Sequence, residues 1–199
     1  MPADDGIVFL KAEERSRSPA FFFYIGNALM KRILVIGFGN LDRADDGVAF
    51  HIINAVRRDL ALDPLSENET GLEELGRPVD TAFIGQLVPE MIDLLVDYDR
   101  IVFVDAHVDT SLEHLHHAPV SPDEAGLTFT HHMSPATLLA FYDALHGCHP
   151  EGHLVSVRGV DFDFHRRLSP STASFVLPAA RQIMSLIRSQ TSRIPGNAF

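Results

Sequence analysis

Cysteine and basic side chains are scarce in this chain of 199 residues. The single cysteine, Cys148, excludes an internal disulfide framework and a cysteine-rich metal cluster, and it fits a reducing compartment. Sixteen lysines and arginines stand against 27 aspartates and glutamates, which gives a net charge of −11. Such a chain lacks the basic stripe that a nucleic-acid backbone requires. We therefore expect a cytoplasmic protein that does not bind nucleic acid.

Long apolar runs are also missing. No run approaches the roughly 20 residues that span a bilayer, so we expect no membrane insertion. The apolar stretch 20–25 follows basic residues as in a signal peptide, but it is short and two glutamates lie among the basic residues. Residues 1–29 are therefore either an extension peculiar to this chain or the product of a misassigned start, since Met30 is itself a plausible first residue.

Apolar segments of two kinds alternate along the rest of the chain. Hydrophobic residues make up 46% of the sequence, which is enough for one substantial core. We expect one domain over residues 30–190 and a loose tail over 191–199. Strand and helix patterns alternate, which predicts an α/β fold with a mostly parallel sheet and helices on both faces. The predicted strands are 33–36, 79–84, 101–105, 112–120 and 153–160, and the predicted helices are 48–60, 88–98, 134–146 and 171–188.

The most informative segment joins the first of these strands to the first helix. Gly37 and Gly39 allow a sharp turn at the carboxyl end of the strand, where ligand crevices of α/β sheets lie. Asp45 and Asp46 then open the helix, where the macrodipole favours negative charge. Helix capping alone would also explain these two aspartates.

A third aspartate, Asp105, closes the strand 101–105. Its carboxylate should emerge at the same edge of the sheet as the turn that precedes Asp46, so two acids are expected to converge there. The alternative is an aspartate that only caps or forms a turn.

The turn also carries a resemblance to a known family. Gly37-Phe-Gly-Asn40 followed by Arg43-Ala-Asp45-Asp46-Gly47 resembles the amino-terminal signature of the hydrogenase maturation endopeptidases, roughly Gly-x-Gly-Asn-x-Leu-x-x-Asp-(Asp/Glu)-Gly-x-Gly. Asp42 stands where the signature prefers an apolar residue, and Ala49 replaces the last glycine. The resemblance covers roughly residues 30–188. It implies a three-layer α/β/α sandwich of the phosphorylase/hydrolase-like type, with five main strands of which one is antiparallel.

The resemblance also implies a metal site. It assigns ligand roles to Asp46, to Asp105 and to His131, the first histidine of the segment 128–135, which precedes a predicted helix. Two carboxylates and one imidazole suit nickel or zinc and leave coordination positions open. In the family the nickel is not a resident cofactor, because it arrives in the precursor of the nickel-iron hydrogenase large subunit. Gln86, in a segment similar to one branch of the family, is a further candidate for substrate contact.

The implied function is a hydrolase of the aspartic endopeptidase type. It recognises nickel in the precursor and removes the carboxyl-terminal extension, which activates the hydrogenase. We expect a monomer whose partner is this large-subunit precursor. The sequence assigns no catalytic residue, and it leaves open whether the metal activates the attacking water.

Three other functions deserve comparison. A nucleotide-binding oxidoreductase fits poorly, because Asp42 takes the place of the third glycine and the helix start is acidic. A cysteine hydrolase would pair Cys148 with its sequence neighbours His146 or His149, which are not arranged by a fold. A non-catalytic module that binds a metal or a protein stays open, because binding and cleavage would use the same residues.

A histidine cluster lies in the predicted strand 112–120. His114 and His116 would lie on one face of that strand and His117 on the other, so the three could not bind one ion without distortion. We interpret this segment as a solvated edge strand.

Overall fold

The computed structural model describes residues 23–25, 28–30, 32–122 and 133–191. His131 lies outside these residues, as do most of the predicted extension 1–29 and the tail 192–199. The strands are β1 (Phe23–Ile25), β2 (Ala28–Met30), β3 (Ile33–Phe38), β4 (Val79–Ile84), β5 (Arg100–His107), β6 (Leu115–Val120) and β7 (Glu151–Arg158). The helices are α1 (Val48–Asp59), α2 (Ile92–Leu95), α3 (Pro135–His146), α4 (Pro170–Ala173) and α5 (Val176–Thr191), and 3-10 turns span Ala44–Gly47, Leu72–Glu74 and Pro89–Met91.

A five-stranded sheet in the order β4-β3-β5-β7-β6 forms the centre of the molecule. Its neighbouring strands are parallel except β6, which runs antiparallel to β7 at the edge of the sheet. This confirms the predicted sheet of five strands with one antiparallel member, and it places the histidines of β6 on an edge strand. The strands β1 and β2 form a separate antiparallel hairpin.

Helices cover both faces of the sheet, because the central strands are apolar on both sides. In β3, Ile33 and Val35 pack into a core with residues of α1 and α5. The alternate residues Leu34 and Ile36 pack into a second core with residues of α2 and α3. The result is the predicted three-layer α/β/α sandwich. No helix in the described part of the chain is both long enough and apolar enough to cross a membrane.

The second predicted helix is much shorter than residues 88–98. It consists of a 3-10 turn and the four residues of α2. The residues that follow α2 are held instead by tertiary contacts: the Tyr98 hydroxyl donates to Asp80, and the Arg32 amide donates to Asp99. These contacts override the helical periodicity of the segment.

The final predicted helix, 171–188, is divided into α4 and α5. Pro178 explains the division. A proline has no amide hydrogen to donate one turn back, and its ring clashes with the carbonyl there. The chain therefore breaks after α4, and Pro178 lies in the first turn of α5, where it is tolerated.

A buried ionic cluster lies at the amino edge of the sheet. Arg32 Nη2 lies 3.0 Å from Asp80 Oδ2, and the two side chains are 9% and 1% exposed. The Tyr98 hydroxyl donates to the same oxygen at 2.8 Å, and the Arg32 guanidinium lies 4.6 Å from the centre of the Tyr98 ring. The amides of Gly76 and Arg77 also donate to Asp80. Asp80 thus connects β4, the start of β3 and the turn after α2.

Candidate functional site

A glycine turn at the end of β3 brings the helix start onto the sheet. Gly39 has a φ of +144°, and a Cβ atom there would lie 2.1 Å from the backbone oxygen of Asp46. The Gly39 amide donates to the Ile84 carbonyl at the end of β4. Only glycine combines this backbone conformation with such a close approach, so the turn depends on it.

Replacing Gly39 with alanine should lower the free energy of unfolding by about 1–3 kcal/mol or more, because the cost of the strained φ adds to the cost of the steric clash. Urea denaturation would measure the loss. Gly85→Ala is a matched control, because nothing lies within 4 Å of its Cβ position and its φ is not in the left-handed region. Equal stability of the two variants would show that the turn does not require glycine.

Asp46 is half-buried in the 3-10 turn that leads into α1. Its Oδ2 accepts a hydrogen bond from the Asn40 amide at 2.9 Å. Among the described residues no donor binds the second oxygen, Oδ1. The side chain is therefore oriented by the turn through one of its two carboxylate oxygens.

Asp105 lies near the carboxyl end of β5, the strand next to β3. Its Oδ1 accepts a hydrogen bond from the Ala106 amide at 2.7 Å. Burial raises the pKa of the Asp105 carboxyl to about 7, and the negative charge of Asp46 adds to the rise. The structure thus brings Asp46 and Asp105 together at the carboxyl edge of the sheet, close enough for each charge to act on the other.

Among the residues that the structure describes, no third metal ligand joins Asp46 and Asp105. No group of three histidine, cysteine, aspartate or glutamate side chains able to hold a metal ion occurs there. The third predicted ligand, His131, belongs to the segment 123–132, which lies outside those residues. The metal-ligand roles of Asp46, Asp105 and His131 therefore stay predictions.

The raised pKa of Asp105 predicts that the contribution of this carboxyl to the stability of the metal-free protein falls as the pH rises from about 4 to about 7. The folded state keeps this proton up to about pH 7, whereas the unfolded chain releases it near pH 4. Between these values this site binds more protons in the folded state than in the unfolded chain, so its contribution to stability falls with rising pH.

Asp105→Asn is neutral throughout and removes this slope. In urea denaturation from pH 4 to pH 8, the stability of the variant relative to wild type should grow up to about pH 7 and then level off. A difference that is the same at every pH would contradict the raised pKa.

An open depression of about 330 Å³ lies beside the glycine turn. It is bounded by the ends of β3 and β4, and its lining includes the exposed side chain of Gln86. Gln86 is therefore near the carboxyl edge, and its contact with substrate stays a prediction. The other lining residues are Gly39, Asn40, Leu41, Phe83 and Gly85.

Asp45 has a role that sequence reasoning missed. Its side chain is fully buried, whereas that of its neighbour Asp46 is partly open. Burial alone would raise the pKa of Asp45, but hydrogen bonds from Val160, Ser169 and Thr172 outweigh that effect and lower it. The partners lie more than 110 positions away in the sequence. No local pattern could have shown them, although the Ser-Pro-Ser-Thr run at 169–172 is a recognisable helix start.

Cys148 lies far from the carboxyl edge. It follows α3 and precedes β7, so it belongs to the amino edge of the sheet, opposite to Asp46 and Asp105. Its Sγ lies 3.8 Å from the backbone oxygen of His146. The neighbouring His149 uses Nδ1 to contact the Pro150 carbonyl. This placement gives no support to a cysteine hydrolase.

The histidines of the β6 region have separate partners. The His114 ring stacks on Phe175 with centroids 5.5 Å apart. His117 Nε2 instead lies 3.2 Å from Nδ1 of His153 on β7. The two side chains therefore make different contacts, as expected from their predicted places on opposite faces of the strand, although His114 itself precedes the first residue of β6.

Comparison with known proteins gives matches among solved structures. No protein-family profile matches the chain, and no curated protein matches it. The hydrogenase maturating endopeptidase HybD from Escherichia coli superposes with a TM-score of 0.59 and 22% identity, over 79% of this chain and 93% of its own. The maturation protease HycI from Thermococcus kodakarensis has a TM-score of 0.55 and 16% identity, over 79% and 93%. The hydrogenase 2 maturation peptidase from a Thaumarchaeota archaeon has a TM-score of 0.51 and 18% identity, over 79% of this chain and 98% of its own.

The superpositions include nearly the full length of each of these solved structures. They leave about a fifth of this chain unmatched. The resemblance that the glycine-aspartate signature suggested is thereby confirmed at the level of the fold. The chain has the fold of the hydrogenase maturation endopeptidases.

Proposed function

We propose that this protein is a peptidase that recognises nickel in the precursor of a nickel-iron hydrogenase large subunit and removes the carboxyl-terminal extension of that precursor. The observation that carries the proposal is the pair of carboxyls, Asp46 and Asp105, at the carboxyl edge of the sheet. Asp46 belongs to the signature that resembles the maturation endopeptidases. The fold shared with such enzymes supports the same function.

The chemistry of the carboxyl pair suits a divalent cation that belongs to the substrate. Oxygen atoms of Asp46 and Asp105, with an imidazole nitrogen of His131, would contact nickel carried by the precursor. Asp105 has to release its proton to act as a ligand, and because its pKa is raised to about 7, nickel contact near neutral pH would displace that proton. Nickel contact would place the extension so that water adds to one peptide carbonyl and the C–N bond breaks, which yields a new carboxylate and a free amine.

The decisive experiment compares nickel-loaded and nickel-free precursor. Each is incubated with the protein, and the mass of the large subunit is followed by mass spectrometry. We expect the nickel-loaded precursor to lose one carboxyl-terminal fragment and the nickel-free precursor to keep its full mass. A precursor that binds but keeps its mass in both forms would favour a non-catalytic binding module.

A second function is favoured by the raised pKa of Asp105. A protonated carboxyl beside an ionised one is the arrangement with which aspartic peptidases activate water without a metal. In that case Asp46 would act as the base and Asp105 as the acid. Cleavage of nickel-free and nickel-loaded precursor at equal rates would favour this function over nickel recognition.

We also infer that the protein acts in the cytoplasm as a monomer. The single cysteine suits a reducing compartment. Size-exclusion chromatography with light scattering would test the oligomeric state, and a particle of twice the chain mass would contradict it.

A further inference from the structure

Asp45 is the centre of a hydrogen-bond network that joins distant segments. The amides of Val160 and Asp161 donate to its Oδ2 at 2.9 and 3.0 Å, and the Ser169 amide donates to its Oδ1 at 2.7 Å. The hydroxyls of Ser169 and Thr172 lie 2.8 and 2.9 Å from Oδ2. The three amides can only donate here, so the carboxylate accepts on both oxygens, and the Thr172 hydroxyl also lies 2.9 Å from the Arg158 carbonyl.

The backbone around Asp45 makes further bonds to the same region. The Asp45 amide donates to the Asp161 carbonyl at 3.0 Å, and the Ala44 amide donates to the His165 carbonyl at 2.6 Å. Gly159 packs closely here, because a Cβ atom on it would lie 3.1 Å from Cβ of Asp45. The segment 159–169, which we call the clamp loop, is therefore bound to the turn that carries Asp46.

The clamp loop also reaches the strand that carries Asp105. The Gly159 amide donates to the His107 carbonyl at 2.9 Å, two residues beyond Asp105. One end of the loop thus contacts β5, and Asp45 holds the other side of it against the helix start. This route from the position of Asp46 to the position of Asp105 enters the sheet only at the end of β5, where His107 pairs with Arg158 of β7.

We propose that Asp45 is a positioning residue that fixes the separation of Asp46 and Asp105 through the clamp loop. It touches no reacting atom. Its carboxylate holds the first turn of the helix, the clamp loop and the end of β5 as one unit. The proposal rests on the proposed function only for its consequence in catalysis, and its structural part is testable without substrate.

Asp45→Asn is the sharpest test. Asparagine has nearly the same size, but in either orientation its amide group faces an N–H or hydroxyl donor, so at least one bond is lost. Hydrogen exchange of the Asn40 amide reports on Asp46, because that amide donates to it. We expect exchange at Asn40 to become at least about 10-fold faster in Asp45→Asn.

Asp80→Asn is the matched control, because Asp80 is an equally buried carboxylate at the opposite edge of the sheet. It should lower stability while leaving exchange at Asn40 unchanged under conditions in which both variants stay folded. If Asn40 exchanges as slowly in Asp45→Asn as in wild type, Asp45 holds only the clamp loop and the proposal is overturned. The same holds if both variants accelerate Asn40 equally.

Cleavage kinetics give the second measurement. For the nickel-loaded precursor we expect kcat of Asp45→Asn to fall about 10- to 100-fold, by more than KM changes, because small displacements of reacting groups cost this much. Asp80→Asn should keep the wild-type kcat. A higher KM with unchanged kcat would show that Asp45 serves substrate binding and would overturn the positioning role.

The two measurements separate this inference from the proposed function. Absence of cleavage by the wild-type protein would overturn the proposed function, while exchange at Asn40 would still decide the role of Asp45. If Asp45→Asn does not fold, Thr172→Val removes the hydroxyl beside Asp45, together with its contact to the Arg158 carbonyl, and keeps the side-chain shape. We expect Thr172→Val to accelerate exchange at Asn40 and to lower kcat, each by less than Asp45→Asn does. An exchange rate at Asn40 equal to that of the wild-type protein would again overturn the proposal.

Discussion

Asp46→Asn is expected to reduce cleavage of the nickel-loaded precursor by at least about 100-fold, measured as the rate of appearance of the shortened large subunit. The substitution keeps the size of the side chain, and its remaining carbonyl oxygen can still accept from the Asn40 amide. It removes the negative charge that attracts a cation. His131→Ala should have a similarly large effect, because it removes the imidazole that we predict to be the third ligand.

Thermal stability distinguishes lost function from lost folding in this experiment. The melting temperature of Asp46→Asn should stay close to that of wild type, since the turn keeps its hydrogen bond. Cys148→Ala is the control for the chemistry, because the thiol lies at the opposite edge of the sheet and should not affect cleavage. Full cleavage by Asp46→Asn, or loss of cleavage in a folded Cys148→Ala, would contradict nickel-directed hydrolysis.

Asp80→Ala should lower the free energy of unfolding by about 3–5 kcal/mol, the usual cost of removing one partner from a buried ion pair. The substitution removes the buried partner of the Arg32 guanidinium, and it removes the acceptor for the Tyr98 hydroxyl. The amides of Gly76 and Arg77 lose their acceptor as well. Urea denaturation at neutral pH would measure the change.

Asp97→Ala is the control for that experiment. Asp97 also pairs with Arg32, at 3.5 Å, but its side chain is 53% exposed. Exposed pairs contribute at most about 1 kcal/mol, so this variant should stay close to wild type. If Asp80→Ala lowers the free energy of unfolding by no more than Asp97→Ala does, burial does not increase the contribution of Asp80 to stability.

The sheet was largely predictable because its strands have a strong local signal. The apolar run in β3 and the similar run in β5 are buried on both faces, and residues of this kind are typical of central parallel strands. The strand β4 begins and ends where the sequence predicted. The convergence of Asp46 and Asp105 was predictable from the same signal. Each residue lies near or after the carboxyl end of one of two neighbouring parallel strands.

The parts that were not predictable depend on contacts between distant residues. The short α2 ends where Tyr98 reaches Asp80, and nothing local to residues 88–98 shows that contact. The burial of Asp45 is a similar case, because an Asp-Asp pair at a helix start does not reveal which member turns inward. Here tertiary packing outweighs local preference.

Packing also explains one departure from the family signature. A Cβ atom on Gly37 would lie 2.9 Å from Cγ1 of Ile53 and 3.2 Å from Cβ of Ala49, so α1 lies close against β3. Alanine at position 49 is the smallest side chain that replaces a glycine, and it still fits this contact. The substitution thus keeps the close approach of helix and strand.

The reach of the Asp45 network has a consequence for synthesis on the ribosome. Asp45 leaves the ribosome long before its partners, which follow 115 to 127 residues later. Burial of a carboxylate without donors is costly, so this turn stays hydrated until the last third of the chain has emerged. A nascent chain can pair β3 with β4 and β5 early, yet the edge that bears the two carboxyls matures only with the completed polypeptide. We expect chains that end before Ser169 to lack the hydrogen bonds that hold Asp45 and the turn around it.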